Sequence, residues 1–287
     1  MKHGVKMLRI KQGILDTYVF LLSRTLSNLH SLLNTLPLGR LSTTRGLELI
    51  WDKKTTCETS EGPLYFHSLN SLCHFRATTI FTKEPETISW IESMESNSIF
   101  FDVGANIGLY SVYAAHRNVQ TFAFEPSPFN IEVLFRNITS NQLNQFCTVL
   151  PISLSSETKV DKFFMSRSDM KWGGAHNSVM YDIGYDGNPL VDPLETKAIS
   201  FSLDEAIEMF QIPNPTHLKI DVDGLEMEIL RGAKNSLKAV KSILIEVSHL
   251  YLEQFKEIED FLTSNNYLLV SQTTDNPRTS NQIWTVK

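Results

Sequence analysis

The segment Phe101-Asp102-Val103-Gly104-Ala105-Asn106-Ile107-Gly108 constrains the fold of this chain more than any other. A continuous apolar run from Ser98 stops at Gly104, and a helical pattern starts at Ile107. An apolar run bounded by glycine and followed at once by helical spacing reads as a buried strand turning tightly into a helix. Gly104 permits the sharp turn and a close backbone approach to a ligand. Gly108 lets the helix Ile107–His116 pack near the strand. The start of that helix is expected to aim free N–H groups at whatever lies above the loop.

The same unit recurs downstream. Strand Val119–Phe124 leads to helix Phe129–Asn141, and Phe146–Leu154 reads as a third strand. A polar, Gly-containing interval spans Ser166–Lys197, and structureless intervals of that length are often lids. Helix Ser202–Phe210, strand Thr216–Val222, helix Leu225–Val240, strand Ser242–Val247 and helix Tyr251–Ser264 follow, then two closing strands, Tyr267–Thr273 and Gln282–Val286. Strands alternating with helices predict an α/β fold with a mostly parallel sheet covered on both faces. The closing pair lacks an intervening helix, which predicts a hairpin with one edge strand antiparallel. Ligands in such sheets bind at the carboxyl ends of the strands, so chemistry is sought there.

Upstream, residues 84–95 read as a helix with Pro85 in its first turn. Residues 12–36 read as an amphipathic helix, with Leu15, Tyr18, Leu22, Leu26, Leu29, Leu33 and Leu36 on one stripe, ended by Pro37 and Gly39. The expected division is a helical, basic extension over 1–60 and a main domain over 61–287, with its core at 97–287. Residues 1–54 carry nine Lys/Arg against three acids, which leaves the rest of a chain of net charge −6 with twelve net negative charges. That acidic remainder repels phosphate backbones and argues against nucleic acid as a partner. The N-terminal helix suits packing on the main domain, self-association, or peripheral contact with a membrane surface. No stretch reaches the ~18 apolar residues that span a bilayer. Three cysteines (Cys57, Cys73 and Cys147) form no C-x-x-C pair, which points to a reducing, cytoplasmic setting, with membrane association through the helix as an added option.

Glu125 closes the second strand, 21 residues after Gly104. A carboxylate there can accept both hydroxyl protons of a ribose, as expected for a nucleoside cofactor on this scaffold. Two cofactor classes compete. A dinucleotide needs G-x-G-x-x-G so that a pyrophosphate can sit on the backbone, but Asp102 occupies the first glycine slot and Ile107 the third. An anionic loop entry repels a pyrophosphate and suits a cofactor with an ammonium and a sulfonium, which S-adenosylmethionine carries without any phosphate. The alternatives are a nucleotide-cofactor oxidoreductase and a non-catalytic scaffold that binds S-adenosylmethionine.

The segment Phe101–Ser111 resembles the first motif of the FkbM family of methyltransferases. Glu125-Pro126-Ser127-Pro128 resembles the second signature, and Lys219-Ile220-Asp221-Val222-Asp223-Gly224-Leu225-Glu226, running on to Ile229–Ala233, the third. Ser202-Leu203-Asp204 matches the short element that precedes it. Asp223 stands where the family often has Glu, and residues 166–197 carry no alignable pattern. The resemblance implies a class I methyltransferase (Rossmann-like) fold with an N-terminal helical extension. It further implies transfer of a methyl group to a hydroxyl on a sugar, glycolipid or natural product. It implies that Asp102, Gly104, Ala105, Asn106 and Gly108 hold the methionine part, that Glu125 with Pro126 holds the ribose, and that Ser153 or Leu154 faces the adenine. It also implies that the stretch around Arg76 and Glu84 covers the cofactor.

An alkyl hydroxyl is a poor nucleophile at neutral pH, so a base or a metal is useful. Asp221 or Asp223, at the fourth strand's end, is the expected base or orienting group. A variant makes Asp221, Asp223 and Glu246 ligands of a hard cation such as Mg²⁺. His176, in the polar interval beside Trp172, is a further candidate base, and Lys219 is expected only to balance neighbouring acids.

Overall fold

The computed structural model describes residues 2–33, 35, 52–167, 171–175, 177–179, 189–190, 192–274 and 276–287. They fall into two compact units, Met1–Lys53 and Lys54–Lys287. The first holds α1 (Lys2–Leu33), which begins ten residues before the expected start at 12. Leu36, Pro37 and Gly39 lie outside the described residues. Within α1 the apolar side chains Tyr18, Val19, Phe20, Leu21, Leu22, Leu26, Leu29 and Leu32 are exposed. No described helix is long and apolar enough to cross a membrane.

The second unit opens with β1 (Lys54–Cys57) and β2 (Leu64–His67), paired antiparallel, which sets its start at Lys54. Next come α2 (Ser71–Thr78), α3 (Ile80–Lys83) and α4 (Pro85–Glu92). Asn70 caps α2 by accepting the Cys73 N–H at 2.8 Å. Pro85 stands at the first turn of α4, where its missing N–H costs nothing. The alternating core follows as β3 (Ile99–Val103), α5 (Leu109–His116), β4 (Gln120–Phe124), α6 (Pro128–Ser140) and β5 (Cys147–Leu150).

The strand expected over Phe146–Leu154 is two strands in two sheets. Pro151, which has no N–H to give a ladder, separates β5 from β6 (Ser153–Ser155). The interval expected to lack structure is bracketed by β7 (Lys159–Ser166) and β9 (Pro193–Ser202), with β8 (Asn177–Val179) beside β7. β7 and β9 pair antiparallel from Lys159↔Ser200 to Ser166↔Pro193, in a second sheet ordered β6-β9-β7-β8. Both strands are polar along much of their length because one face of this antiparallel sheet meets solvent.

The chain then forms α7 (Leu203–Phe210), β10 (His217–Ile220), α8 (Glu226–Arg231), β11 (Ser242–Ser248), α9 (Leu252–Ser264), β12 (Tyr267–Gln272) and β13 (Thr279–Val286). Ser202 accepts the Glu205 N–H and donates to the Glu205 carboxylate, a reciprocal cap on α7. The helix expected over 225–240 stops at Arg231. A Cβ on Gly232 would lie 2.2 Å from the Ser155 carbonyl, so the chain passes β6 at backbone contact. Asp204 then accepts the N–H groups of Asn235 and Ser236 and starts a separate 3-10 turn, Ser236–Ala239.

The main sheet has the order β12-β13-β11-β10-β3-β4-β5. β11, β10, β3, β4 and β5 are parallel, whereas β13 is antiparallel to both β11 and β12. The antiparallel strand is therefore second from the edge, not at the edge as expected. α9 carries the chain one strand width past β11, and β13 returns into that slot. Alternate residues of each strand feed opposite cores: Phe101, Phe122 and Ile243 on one face, Phe100, Ala123 and Leu244 on the other. This leaves the carboxyl ends of β3, β4, β10 and β11 along one rim.

Candidate active site

The loop after β3 is built to touch its neighbours closely. Gly104 has φ +83°, and a Cβ there would lie 2.0 Å from the Asp221 carbonyl oxygen. Gly108 has φ +80°, and a Cβ there would meet Leu134 of α6 at 2.1 Å. The loop's own amides are turned inward, and the helix begins only after them, at Leu109. The amides of Gly104 and Ala105 both donate to the Phe124 carbonyl, that of Asn106 to Glu125 Oε2, that of Ile107 to Asn106 Oδ1, and that of Gly108 to the Ala105 carbonyl. A phosphate cradle works by presenting unspent backbone donors. This loop has spent all five.

A cavity of about 590 Å³, within the usual range for small-molecule sites, lies over these strand ends. Its wall includes Gly104, Asn106, Glu125, Pro126, Ser153 and Leu154 of the expected cofactor set, together with Asp221, Asp223 and Glu246. Ala105 lines a small adjoining recess with Tyr110 and Lys219. Asp102 is placed behind the loop, 1 % exposed, where it accepts a hydrogen bond from Ser111 Oγ and lies 3.9 Å from Lys219 Nζ. Its other oxygen, Oδ1, has no hydrogen-bond partner. Gly108 likewise serves packing against Leu134 and does not line the cavity. Ser153 shares a hydrogen bond with Ser200 Oγ at 2.7 Å, linking the adenine end expected there to the second sheet. His176 lies outside the described residues.

Glu125 is buried at the end of β4. It accepts from Asn106 N–H and Ser127 N–H at 2.8 Å each, and burial still pushes its carboxyl up to about 7. A strap, residues 171–175, closes over this end. Asn106 Nδ2 and Asn130 Nδ2 both donate to the Gly174 carbonyl, at 2.9 and 3.0 Å, and Asn130 Oδ1 accepts the Gly173 N–H. Arg76 Nε donates to the Gly173 carbonyl, Asn70 Nδ2 to the Trp172 carbonyl, and Trp172 Nε1 to Glu132. Trp172 thus anchors the strap to α6. Arg76, whose stretch the resemblance implied would cover the cofactor, holds the strap at Gly173; Asn130 joins the site without a motif to announce it, its only signal being its position one helical turn beyond Glu125-Pro126.

The far end of the cavity is acidic. Lys219, buried to 1 % exposure, donates to Asp221 Oδ2 at 2.6 Å, which is the balancing role expected of it. Burial works against the Asp221 carboxylate, but the charge and hydrogen bond of Lys219 outweigh it and hold the carboxyl below its usual range. Asp223 has no such partner. Burial, then the charges of Asp221, Glu226 and Glu246, push its carboxyl well upward. Glu246, half-buried on β11, is pushed up to about 8 by burial and then by Asp221 and Glu84. His249 faces away toward Ser280 and Phe255. Among the described residues no group of three His, Cys, Asp or Glu side chains is arranged to hold a metal ion, so the Mg²⁺ arrangement has no preformed ligand set here.

The wall therefore offers a ribose-type carboxylate, a loop after β3 that is not a phosphate cradle, and a far end where the acids Asp221, Asp223 and Glu246 share the cavity with arginine and lysine side chains. Residues 102–269 match the Methyltransferase FkbM domain, more than half of the chain. A hexuronic acid methyltransferase, AglP of Haloferax volcanii, is 27% identical over 157 residues, 55% of this chain and 59% of that protein. Methyltransferase sdnD of Sordaria araneosa is 28% identical over 187 residues, 54% of this chain and 68% of that protein. The chain thus spans about three-fifths of AglP's length. Among solved structures, precorrin-6y C5,15-methyltransferase of Geobacter metallireducens superposes with a TM-score of 0.43 at 13% identity, covering 72% of this chain and 90% of that one. Sp1610 of Streptococcus pneumoniae, solved with S-adenosyl-L-methionine, gives 0.44 at 10% identity, covering 70% and 72%. With its sheet order and its motifs at the ends of β3, β4 and β10, this chain belongs to the FkbM family of methyltransferases and has the class I methyltransferase fold.

Proposed function

We propose that this protein transfers a methyl group from S-adenosylmethionine to a hydroxyl oxygen on a sugar, glycan or small natural product. The observation that carries the reading is the continuity of one cavity, from Gly104, Asn106 and Glu125 at one end to Asp223 and Glu246 at the other. S-adenosylmethionine, when bound, supplies a methyl group already activated on a sulfonium. Glu125 would hold its ribose, Gly104 and Asn106 its methionine part, and Ser153 with Leu154 its adenine. A relative named for methylating a hexuronic acid supports a sugar acceptor.

The chain's own residues divide the work by their electrostatics. Asp221, neutralised by Lys219, stays ionised and is a weak base, so it orients the acceptor. Asp223 has the raised proton affinity a base near neutral pH needs. It would take the hydroxyl proton as the acceptor oxygen bonds to the methyl carbon and the carbon–sulfur bond breaks, the sulfur leaving as a neutral thioether. A cation entering the cavity favours the ionised form of Asp223 and so readies it. No step passes through a metal.

The test is methyl-labelled S-adenosylmethionine incubated with the full chain and an extract of the source cells. Label in an alkali-stable ether supports a hydroxyl acceptor; label lost to mild alkali as an ester refutes it. Asp223→Asn is expected to lower turnover by ~10²- to 10⁴-fold while the S-adenosylhomocysteine Kd changes by less than ~3-fold. Full turnover in that variant would remove Asp223 as the base. Tight cofactor binding without any labelled product would favour a scaffold.

A further inference from the structure

Methyl transfer leaves the cations of the cavity wall without a task. Arg76 comes from α2, Lys83 from α3, Lys171 from the strap and Arg278 from the turn before β13, and all four line the cavity that holds Asp223. Lys83 is already engaged, 2.5 Å from Glu84 Oε1. Among the described residues Arg76 commits only Nε, to the Gly173 carbonyl, and both terminal amino groups are without a partner there. Arg76 lines the same cavity as Asp221 and Asp223. Arg278 is held by its backbone: its N–H donates to Asn276 Oδ1 and its carbonyl accepts from His249 N–H at 2.7 Å. Its guanidinium has no partner among the described residues. Beside the two arginines, Phe75 keeps 54% of its surface exposed, giving an apolar shelf.

Two planar guanidinium groups that line one cavity from separate elements suit a carboxylate or phosphate, which each can grip with paired N–H donors. Of the acids in the same wall, Asp221 is answered by Lys219 and Glu84 by Lys83, while Asp223 and Glu246 form no ion pair with either arginine among the described residues. We infer that the methyl acceptor carries an anionic group, a carboxylate or a phosphate, held by Arg76 and Arg278 while its reacting oxygen faces Asp223. This rests on the methyl-transfer reading above. It names charge on the acceptor as the specificity element, and assigns that role to two residues outside the family motifs.

The test is calorimetric titration of the full chain, saturated with S-adenosylhomocysteine, with D-glucuronate, glucose 6-phosphate and D-glucose. At least one anion is expected to bind ~10-fold or more tightly than glucose, with Arg278→Gln abolishing most of that preference and leaving S-adenosylhomocysteine binding unchanged. Preference for glucuronate alone assigns a carboxylate, for the sugar phosphate alone a phosphate, and for both a general anion subsite. Neither anion exceeding glucose, or a preference undiminished in Arg278→Gln, overturns the inference. Failure of S-adenosylhomocysteine to bind at the outset would instead overturn the methyl-transfer reading on which it rests.

Discussion

Replacing Gly104 by alanine tests the joint between the loop after β3 and the end of β10. The added Cβ would sit 2.0 Å from the Asp221 carbonyl oxygen and 3.1 Å from Val222 Cγ1, on a backbone with φ +83°. The left-handed conformation alone costs a non-glycine residue about 1–2 kcal/mol. Overpacking against a backbone atom that cannot rotate away adds about 1–3 kcal/mol. The sum, about 2–5 kcal/mol, corresponds to a Tm lower by about 4–20 °C for a unit of this size. Restoring an ordinary contact requires the Asp221 peptide to move by about 1 Å, enough to cost turnover ~10²-fold. Gly62→Ala is the control. It has φ +117° but nothing within 4 Å of its Cβ, so only the conformational cost applies. Thermal unfolding of the three proteins, with S-adenosylhomocysteine titration of each, decides the matter. A Gly104→Ala protein that melts with Gly62→Ala and binds the ligand as wild type does would refute the reasoning.

Burial, above all, lifts the carboxyls of Glu226 and Glu246 to about 8 and that of Glu125 to about 7, and drives Asp223 upward too. Above the usual carboxylate range near about 4, the native chain keeps protons the unfolded chain has released, so stability of the ligand-free protein falls as pH rises from about 5 to about 8. Glu226, whose Oε1 accepts the Gly224 N–H, contributes at most about 1.4 kcal/mol per pH unit to that slope. Glu226→Gln should flatten the Tm-versus-pH curve and raise Tm at pH 8; an unchanged slope would contradict this. Asn130→Ala removes two hydrogen bonds to the strap and one contact with Glu125, and should weaken S-adenosylhomocysteine binding ~10- to 100-fold while speeding proteolysis at residues 171–175. Wild-type affinity with a protected strap would show that Asn130 is dispensable.

Much of this architecture was legible because burial leaves a mark on sequence. β3, β4, β10 and β11 are covered on both faces and read as apolar runs, each closed by the residues that line the cavity. What escaped was set by contacts distant in sequence. β7 and β9 gain their strand character from each other across some thirty residues, and their polar faces hide the pattern. The break at Gly232 follows from contact with Ser155, which no local signal announces. At the site, the motif carried Gly104, Asn106, Glu125, Asp221 and Asp223 to one cavity. The position of Asp102, behind the loop against Ser111 and Lys219, depends on β3 and β10 being neighbours in the sheet. Asn130 and Arg278 come to the rim through tertiary packing alone.

With the amides of residues 104–108 all spent, the loop after β3 is expected to accept S-adenosylhomocysteine and to refuse a diphosphate. Parallel calorimetric titrations of the full chain with S-adenosylhomocysteine and NAD⁺ test it most directly. The account predicts saturable one-to-one binding of the first and no heat of binding for the second. Saturable binding of NAD⁺ with none of S-adenosylhomocysteine would contradict it.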